Sequence, residues 1–96
     1  MIVETNCPVP TNPAYSSVNA GSETTDKIYL LSIAEFNALS NSIRVTGSGS
    51  SWWLRSPGYD SGMAAVVDSE GSLDTIGDGV GNGERGVRPA LTIKFE

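Results

Sequence analysis

Residues 71–86 contain six of the 11 glycines in this chain, and no other feature restricts the fold as strongly. Glycine weakens helices, but it enters turns at no steric cost. The stretch therefore predicts loops and short strands instead of helix. A chain of 96 residues makes one small domain, and such a domain buries only roughly 60 to 65% of its surface on folding. We expect a single thin core.

The net charge is −5, and the basic residues stand singly along the sequence. Nucleic acids and anionic membranes are bound by concentrated positive charge, so we expect neither as a partner. No apolar run approaches the roughly 20 residues that a membrane-spanning helix needs. We therefore expect no membrane insertion.

The chain has no histidine and a single cysteine, Cys7. These counts exclude an intrachain disulfide, a Cys/His zinc site and a Ser-His-Asp triad. Cys7 precedes Pro8 in a polar stretch, and we predict a surface or half-buried thiol. A nucleophilic cysteine needs an activating base, which no histidine supplies here. We predict that the protein is not an enzyme.

The first half of the sequence predicts an irregular arm followed by a strand and a helix. Residues 2–3 could form a short strand. Residues 5–26 are rich in Pro, Asn, Ser, Thr and Gly, so we predict an irregular arm over residues 1–25. Residues 27–31 (KIYLL) predict a buried strand. Ser32 and Glu35 have the spacing of a capping box, so we expect a helix over residues 33–39.

The second half predicts a β-hairpin and a final strand. Residues 63–67 and 73–76 predict two strands, which flank a type I turn with Asp at its first position and Gly at its last. Residues 87–95 carry apolar side chains at period two, which predicts one shared face. Pro89 in that strand indicates an edge, a bulge or a strand start.

The only two tryptophans, Trp52 and Trp53, are adjacent. In a strand they would point to opposite faces, so one would anchor the core and the other would face a second layer or a groove. Core anchoring is favoured over stacking on a sugar. For Arg55 and Arg88 we favour hydrogen bonds to loop carbonyls or a carboxylate, with binding of a substrate anion as the alternative.

Six acidic residues and no basic residue lie between positions 59 and 84. Such loops suggest calcium, yet Ile76 occupies the third and Arg85 the twelfth position of the best-matching EF-hand frame. A single glycine-rich copy also cannot stack as a calcium β-roll. No carboxylate pair stands out for glycosidase chemistry. We predict a solvated acidic loop without a cofactor, and calcium remains the alternative.

Two motifs stand in a characteristic order: residues 51–57 (SWWLRSP), here the Trp motif, and residues 86–91 (GVRPAL), here the Arg-Pro motif. Residues 26–32 (DKIYLLS) precede them. Over residues 26–93 the chain resembles a domain common in bacterial surface proteins. That domain is similar to the C-type lectin-like fold, which formylglycine-generating enzymes share, and to the variable proteins that retroelements diversify in bacteria and phages.

The resemblance implies a non-catalytic binding module with an α+β, C-type lectin-like fold: a small, mostly antiparallel sheet, one short helix and long irregular loops. It implies a structural framework formed by Trp52, Trp53, Arg55 and Arg88. This framework would hold a variable-type surface for a protein or glycan ligand. The residues implied to contact the ligand lie between the two motifs: Tyr59, Asp60, Ser61, Met63, Asp74, Ile76, Asp78, Val80, Asn82 and Glu84.

Diversification by a retroelement is a hypothesis that the resemblance adds. Adenine mutagenesis of Asn codons reaches Tyr, Asp, Ser, Ile, Val and Gly, but it does not reach Met63 or Glu84. The resemblance also implies an extracellular, cell-surface or phage-particle location. A near-identical template repeat beside a reverse transcriptase gene is expected at the locus.

The chain departs from the family pattern in two ways. The family domain carries a further N-terminal half, so residues 26–96 match its C-terminal half; either the chain is a fragment, or residues 1–25 and self-association supply the missing cover. The catalytic relatives depend on cysteines, and Cys7 lies outside the matching region. Two alternative functions therefore stay open: a structural homo-oligomeric assembly subunit and calcium-dependent carbohydrate binding.

Overall fold

The computed structural model describes residues 1–40, 43–44, 50–83 and 85–94. These residues form three small antiparallel sheets and one short α-helix, so the chain has the α+β architecture that the sequence predicts. In the described part of the chain, no helix is long and apolar enough to cross a membrane.

The largest sheet has three antiparallel strands in the order β4-β5-β6: β4 (Trp52–Pro57), β5 (Met63–Val67) and β6 (Leu73–Gly79). Strands β5 and β6 form the predicted hairpin, which is thereby confirmed, although β6 runs three residues beyond the predicted end. The amide of Gly71 donates to the carbonyl of Asp68 at 3.0 Å, which closes the predicted turn.

Helix α1 (Ile33–Asn37) begins at the predicted capping box. The Ser32 hydroxyl accepts from the amide of Glu35 at 3.2 Å, and the Glu35 carboxylate accepts from the amide of Ser32 at 3.0 Å. The helix is shorter than the predicted 33–39, since Ala38 is already its C-terminal cap. A helix this short depends on packing for its stability, and its Phe36 ring meets the Trp52 ring edge-on at 5.8 Å.

The hydrophobic core lies between α1 and one face of the β4-β5-β6 sheet. Trp52 is buried and Trp53 only partly buried, so the predicted division of the two tryptophans is confirmed. Alternate residues along β4 are buried because successive strand side chains point to opposite faces. The buried cluster consists of six side chains: Ile33, Phe36, Trp52, Leu54, Ala65 and Val67.

The prediction of a buried strand at residues 27–31 is wrong. Only Tyr29 makes a β-bridge, to Ala90, and Ile28 is 62% exposed. The segment instead connects to the outer edge of β4, where the amide of Arg55 donates to the carbonyl of Leu31 at 2.7 Å. The segment therefore lies beside a sheet edge, and its Leu31 side chain packs, partly buried, against the core cluster.

The prediction of one long final strand over residues 87–95 is also wrong. Strand β7 contains only Thr92–Ile93 and pairs with β1 (Ile2–Val3). Pro89 has no amide hydrogen for a ladder bond. The period-two apolar side chains do not share a buried face, since Val87, Leu91 and Ile93 are exposed. Phe95, at the end of the predicted strand, lies outside the described residues.

The N-terminal segment contributes to two of the three sheets. Besides β1, it contains β2 (Thr5–Cys7), which pairs with β3 (Thr24–Asp26), and a 3₁₀ turn at Pro13–Tyr15. The Cys7 thiol is buried and lies 3.5 Å from the carbonyl of Thr5. A surface or half-buried thiol was therefore the wrong prediction.

Candidate functional site

The Trp motif and the Arg-Pro motif contact each other directly. Gly86 and Trp52 form a parallel bridge: the Gly86 amide donates to the Ser51 carbonyl at 2.8 Å, and the Trp53 amide donates to the Gly86 carbonyl at 3.1 Å. The guanidinium of Arg88 lies 4.7 Å from the centre of the Trp52 ring. The two ends of the chain segment 51–88 are therefore held side by side.

Arg55 joins β4 to two distant segments. Its guanidinium donates to the carbonyl of Leu30 at 2.7 Å and to the carbonyl of Pro8 at 3.0 Å. It also binds both carboxylate oxygens of Glu35, at 2.9 and 3.2 Å. Burial acts to raise the pKa of Glu35, but the hydrogen bonds from Arg55 and from the Ser32 amide outweigh it and lower that pKa. These contacts agree with the structural interpretation of Arg55.

Arg88 has a similar position at the other end of the framework. Besides its contact with the Trp52 ring, it donates to the carbonyl of Ile43 at 2.9 Å. The Trp52 indole N–H donates to the carbonyl of Arg44 at 3.0 Å. Both framework arginines therefore bind backbone carbonyls far from them in sequence, as predicted.

The turn between β4 and β5 is tied to the end of β6 by backbone hydrogen bonds. The Tyr59 amide donates to the carbonyl of Ile76 at 3.1 Å, and the Val80 amide donates to the carbonyl of Gly62 at 3.2 Å. These two bonds bring together chain segments that the sequence separates by 17 to 18 residues. They place Tyr59 beside Ile76, and they place Val80 beside the turn that follows Tyr59; this region is here the corner of the sheet.

A β-bulge shapes this corner. Ala64 pairs with Asp78 and Val66 with Asp74, so Ala65 alone lies opposite residues 75–77. Gly77 has φ +79°, and a Cβ atom there would lie 2.0 Å from the carbonyl oxygen of Ala64. A side chain at this position would meet both an unfavourable backbone conformation and a steric clash. The bulge therefore requires glycine.

Nine of the ten predicted ligand-contacting residues are described, and they divide by exposure. Four are partly buried: Met63, Asp74, Asp78 and Asn82. Glu84 lies outside the described residues. The other five are exposed, and together they are named the candidate surface: Tyr59, Asp60, Ser61, Ile76 and Val80.

Asp60 and Asp74 each accept hydrogen bonds from backbone close to them in sequence. Asp60 Oδ1 accepts from the amide of Gly62 at 2.8 Å. Asp74 Oδ1 accepts from the amides of Ile76 and Gly77, both at 3.1 Å. Such bonds are typical of Asx turns. Asp74 therefore holds the bulge that presents Ile76.

Asp78 is at the centre of a small polar cluster. Its carboxylate accepts from Arg85 Nε at 3.1 Å, from the Gly79 amide at 2.8 Å and from Asn82 Nδ2 at 2.6 Å. The hydrogen bond from Arg85 is the main reason that the pKa of Asp78 lies below its ordinary value, and the Gly79 amide lowers it further. Asp78 and Asn82 thus stabilise the chain after β6.

The described residues contain no group of three or more His, Cys, Asp or Glu side chains that could hold a metal ion. In the same part of the chain no pocket is found.

Asn12 is a structural residue that the sequence analysis missed. Its side chain is fully buried, and its Nδ2 donates to the carbonyls of Pro57 at 3.0 Å and Thr75 at 2.8 Å. Its Oδ1 accepts from the amide of Ala14 and caps the 3₁₀ turn. The available signal was Asn followed by Pro13, which is typical of a helix start.

Tyr15, from the same 3₁₀ turn, was also missed. Its ring packs edge-on against the ring of Tyr59, with centroids 6.4 Å apart and an angle of 62° between the planes. The N-terminal segment therefore supplies an aromatic neighbour to the candidate surface. Nothing in the local sequence pairs these two tyrosines, which are 44 positions apart.

A comparison with protein families gives a match over residues 1–95, which includes the segment that carries Asn12 and Tyr15. No curated protein and no solved structure matches the chain significantly. Because the match covers nearly the whole chain, this protein belongs to the family described as a domain of unknown function, DUF6273.

Proposed function

We propose that this protein is a non-catalytic binding module that recognises a protein or glycan through the candidate surface. The observation that carries the proposal is that the residues which hold the backbone of the corner differ from those whose side chains are exposed there. The corner is held by the buried side chain of Asn12, by the close approach of Gly77 to the Ala64 carbonyl and by the partly buried Asp74. The exposed side chains come from their neighbours. Surface side chains can then vary while the backbone beneath them stays in place.

The exposed side chains suit recognition chemically. Tyr59, Ile76 and Val80 are 48, 51 and 66% exposed, and backbone hydrogen bonds bring their segments to one corner. Exposed apolar residues that cluster are typical of interaction sites. Tyrosine offers a large contact area at a small entropic cost, and serine and aspartate offer adaptable hydrogen bonds.

We further propose a C-type lectin-like scaffold for this module, with a variable-type surface between the two motifs. The direct contact of Gly86 and Arg88 with Trp52 supports this proposal, because a loop surface between two motifs stays constant in shape only when the motifs are held together. Sequencing the locus tests the diversification hypothesis. Without a near-identical template repeat and a reverse transcriptase gene, that hypothesis is lost.

The binding proposal is tested on a glycan array and a surface-protein array. Wild type is compared with the double variant Tyr59→Ala/Ile76→Ser, and the matched control is Ile28→Ser, which removes another exposed isoleucine elsewhere. We expect the double variant to lose array binding while wild type and control bind alike. Equal thermal midpoints would show that all three are folded. Equal binding by all three would contradict the proposal.

A homo-oligomeric assembly subunit is the second candidate function. Ile2 and Ile93 are paired directly across β1 and β7, and both are exposed, next to the highly exposed Met1. Exposed apolar pairs of this kind can form an isologous interface. Light scattering at micromolar concentration tests this function, and Ile93→Ser is the variant to compare. A monomeric wild type would remove the candidate.

A further inference from the structure

The aromatic pair at the candidate surface joins two parts of the chain. Tyr59 belongs to the candidate surface, and Tyr15 meets it from the 3₁₀ turn. The buried Asn12 fixes that turn against the carbonyls of Pro57 and Thr75. Tyr15 is therefore held in place next to Tyr59 and is only partly buried.

A carboxylate without an ion-pair partner in the described part of the chain follows Tyr59 directly in the sequence. Asp60, next to Tyr59, is exposed, and within the described part of the chain its carboxylate forms no ion pair. Its single side-chain hydrogen bond, to the amide of Gly62, leaves its negative charge uncompensated.

The arginines of the chain are used elsewhere. Arg55 binds Glu35, and Arg85 binds Asp78. The guanidinium of Arg44 lies 4.6 Å from the centre of the Phe36 ring, and that of Arg88 lies 4.7 Å from the centre of the Trp52 ring. None of these arginines forms an ion pair with Asp60, so in the described part of the chain its carboxylate is available to a cation of a binding partner.

We infer that the binding surface extends to Tyr15 and that its partner is a basic protein segment, an assignment that rests on the proposed function. A Lys or Arg side chain of the partner lies against the Tyr15–Tyr59 pair and close to Asp60, where the ring faces and the carboxylate both attract a cation. An apolar side chain of the partner contacts Ile76. Uncharged glycans gain nothing from the negative charge, so a protein segment is favoured.

The experiment selects short random peptides on the immobilised full-length chain, at low and at physiological ionic strength. We expect the selected peptides to be rich in Lys and Arg next to aliphatic residues, and to bind more weakly as salt screens the charges. The test variants are Tyr15→Leu, which keeps bulk but removes the aromatic ring, and Asp60→Asn, which removes charge but keeps an acceptor for the Gly62 amide.

The matched control for Asp60→Asn is Asp68→Asn. Asp68 also caps its own turn, through the amides of Glu70 and Ser72, but that turn lies at the other end of the hairpin. We expect each test variant to weaken binding of the selected peptides by about threefold or more, and the control to bind like wild type.

Peptides without a basic bias, or no selected peptides at all, would overturn the assignment of a basic partner. Unchanged peptide binding by Tyr15→Leu would show that Tyr15 is not part of the binding surface. Equal losses of peptide binding for Asp60→Asn and Asp68→Asn would show that the net charge of the protein, and not the position of Asp60, determines binding. None of these results touches the proposed function, which fails separately if Tyr59→Ala/Ile76→Ser binds the arrays like wild type.

Discussion

The framework around Trp52 and the candidate surface around Tyr59 use polar side chains in opposite ways. In the framework, Arg55 reaches carbonyls 25 and 47 positions away, and Arg88 reaches one 45 positions away. At the candidate surface, Asp60 accepts from an amide only two positions away. The framework side chains therefore bind segments that are distant in sequence, whereas Asp60 at the candidate surface stabilises only its own turn.

This difference determines how much a substitution should lower the free energy of unfolding. Removing a long-range framework contact weakens the attachment of segments that are distant in sequence, while removing an exposed surface side chain leaves the turn beneath it intact. Asn12 and Gly77 stand between the two regions, since both are buried or crowded and both support the corner that carries Tyr59 and Ile76.

The largest effect is expected for Trp52→Ala. Trp52 is buried against Phe36 and also receives the Arg88 guanidinium, so its loss leaves a large cavity and costs about 3 to 5 kcal/mol. Chemical denaturation measures the change. Trp53→Ala is the control, and the account requires it to be the milder of the two because Trp53 is only partly buried.

Asn12→Ala is expected to cost about 2 to 3 kcal/mol, because it leaves the carbonyls of Pro57 and Thr75 without their donor. Asn19→Ala is the matched control, since Asn19 is exposed and only caps the amide of Gly21. Thermal and denaturant unfolding measure both. A cost for Asn12→Ala no larger than for Asn19→Ala would show that the N-terminal segment is not anchored as described.

Gly77→Ala should destabilise by on the order of 2 kcal/mol, because it combines a positive φ with a clash against the Ala64 carbonyl. Gly79→Ala, in the same strand, has open space at its Cβ position and is the control. Both are measured by denaturant unfolding. If the two substitutions cost the same, the bulge does not have the geometry given above.

A smaller effect concerns pH. The pKa of Glu35 is lowered in the folded protein from an ordinary 4.5, so its contribution to stability is complete above that value and is lost as the pH falls through the folded-state pKa. Glu35→Gln should therefore flatten the acid side of the curve of unfolding free energy against pH. The exposed Glu70→Gln is the control, and equal flattening by both would contradict the Arg55–Glu35 assignment.

The smallest expected effect is that of calcium. The carboxylates of Asp74 and Asp78 are already used by backbone amides and by Arg85, so we expect the thermal midpoint to be the same with calcium and with a chelator. A ligand that binds only the native state must raise the midpoint. An increase with calcium would return calcium-dependent carbohydrate binding to consideration.

Local signals in the sequence were sufficient for several elements. The capping box at Ser32, the turn between β5 and β6 and the opposite faces of Trp52 and Trp53 each depend on residues within a few positions, and each prediction is confirmed. The framework role of Arg55 was also accessible, because an arginine among apolar neighbours in a thin domain must find acceptors.

Long-range pairing was not accessible in this way. Strands β1 and β7 have two residues each and pair across almost the whole chain, and two residues carry no measurable periodicity. The apolar pattern at residues 87–95 was misleading because a small domain cannot cover all of its apolar side chains. The roles of Asn12 and Tyr15 were missed because the residues that they contact lie 44 to 63 positions away in the sequence.

The separation of framework and surface is tested most directly by randomising all five candidate-surface positions at once and measuring the folded fraction of the library by protease resistance. A parallel library randomises five buried positions: Asn12, Phe36, Trp52, Leu54 and Ser56. The account predicts that most surface-library clones resist protease like wild type, whereas few clones of the buried library do. Equal loss of resistance in both libraries would contradict it.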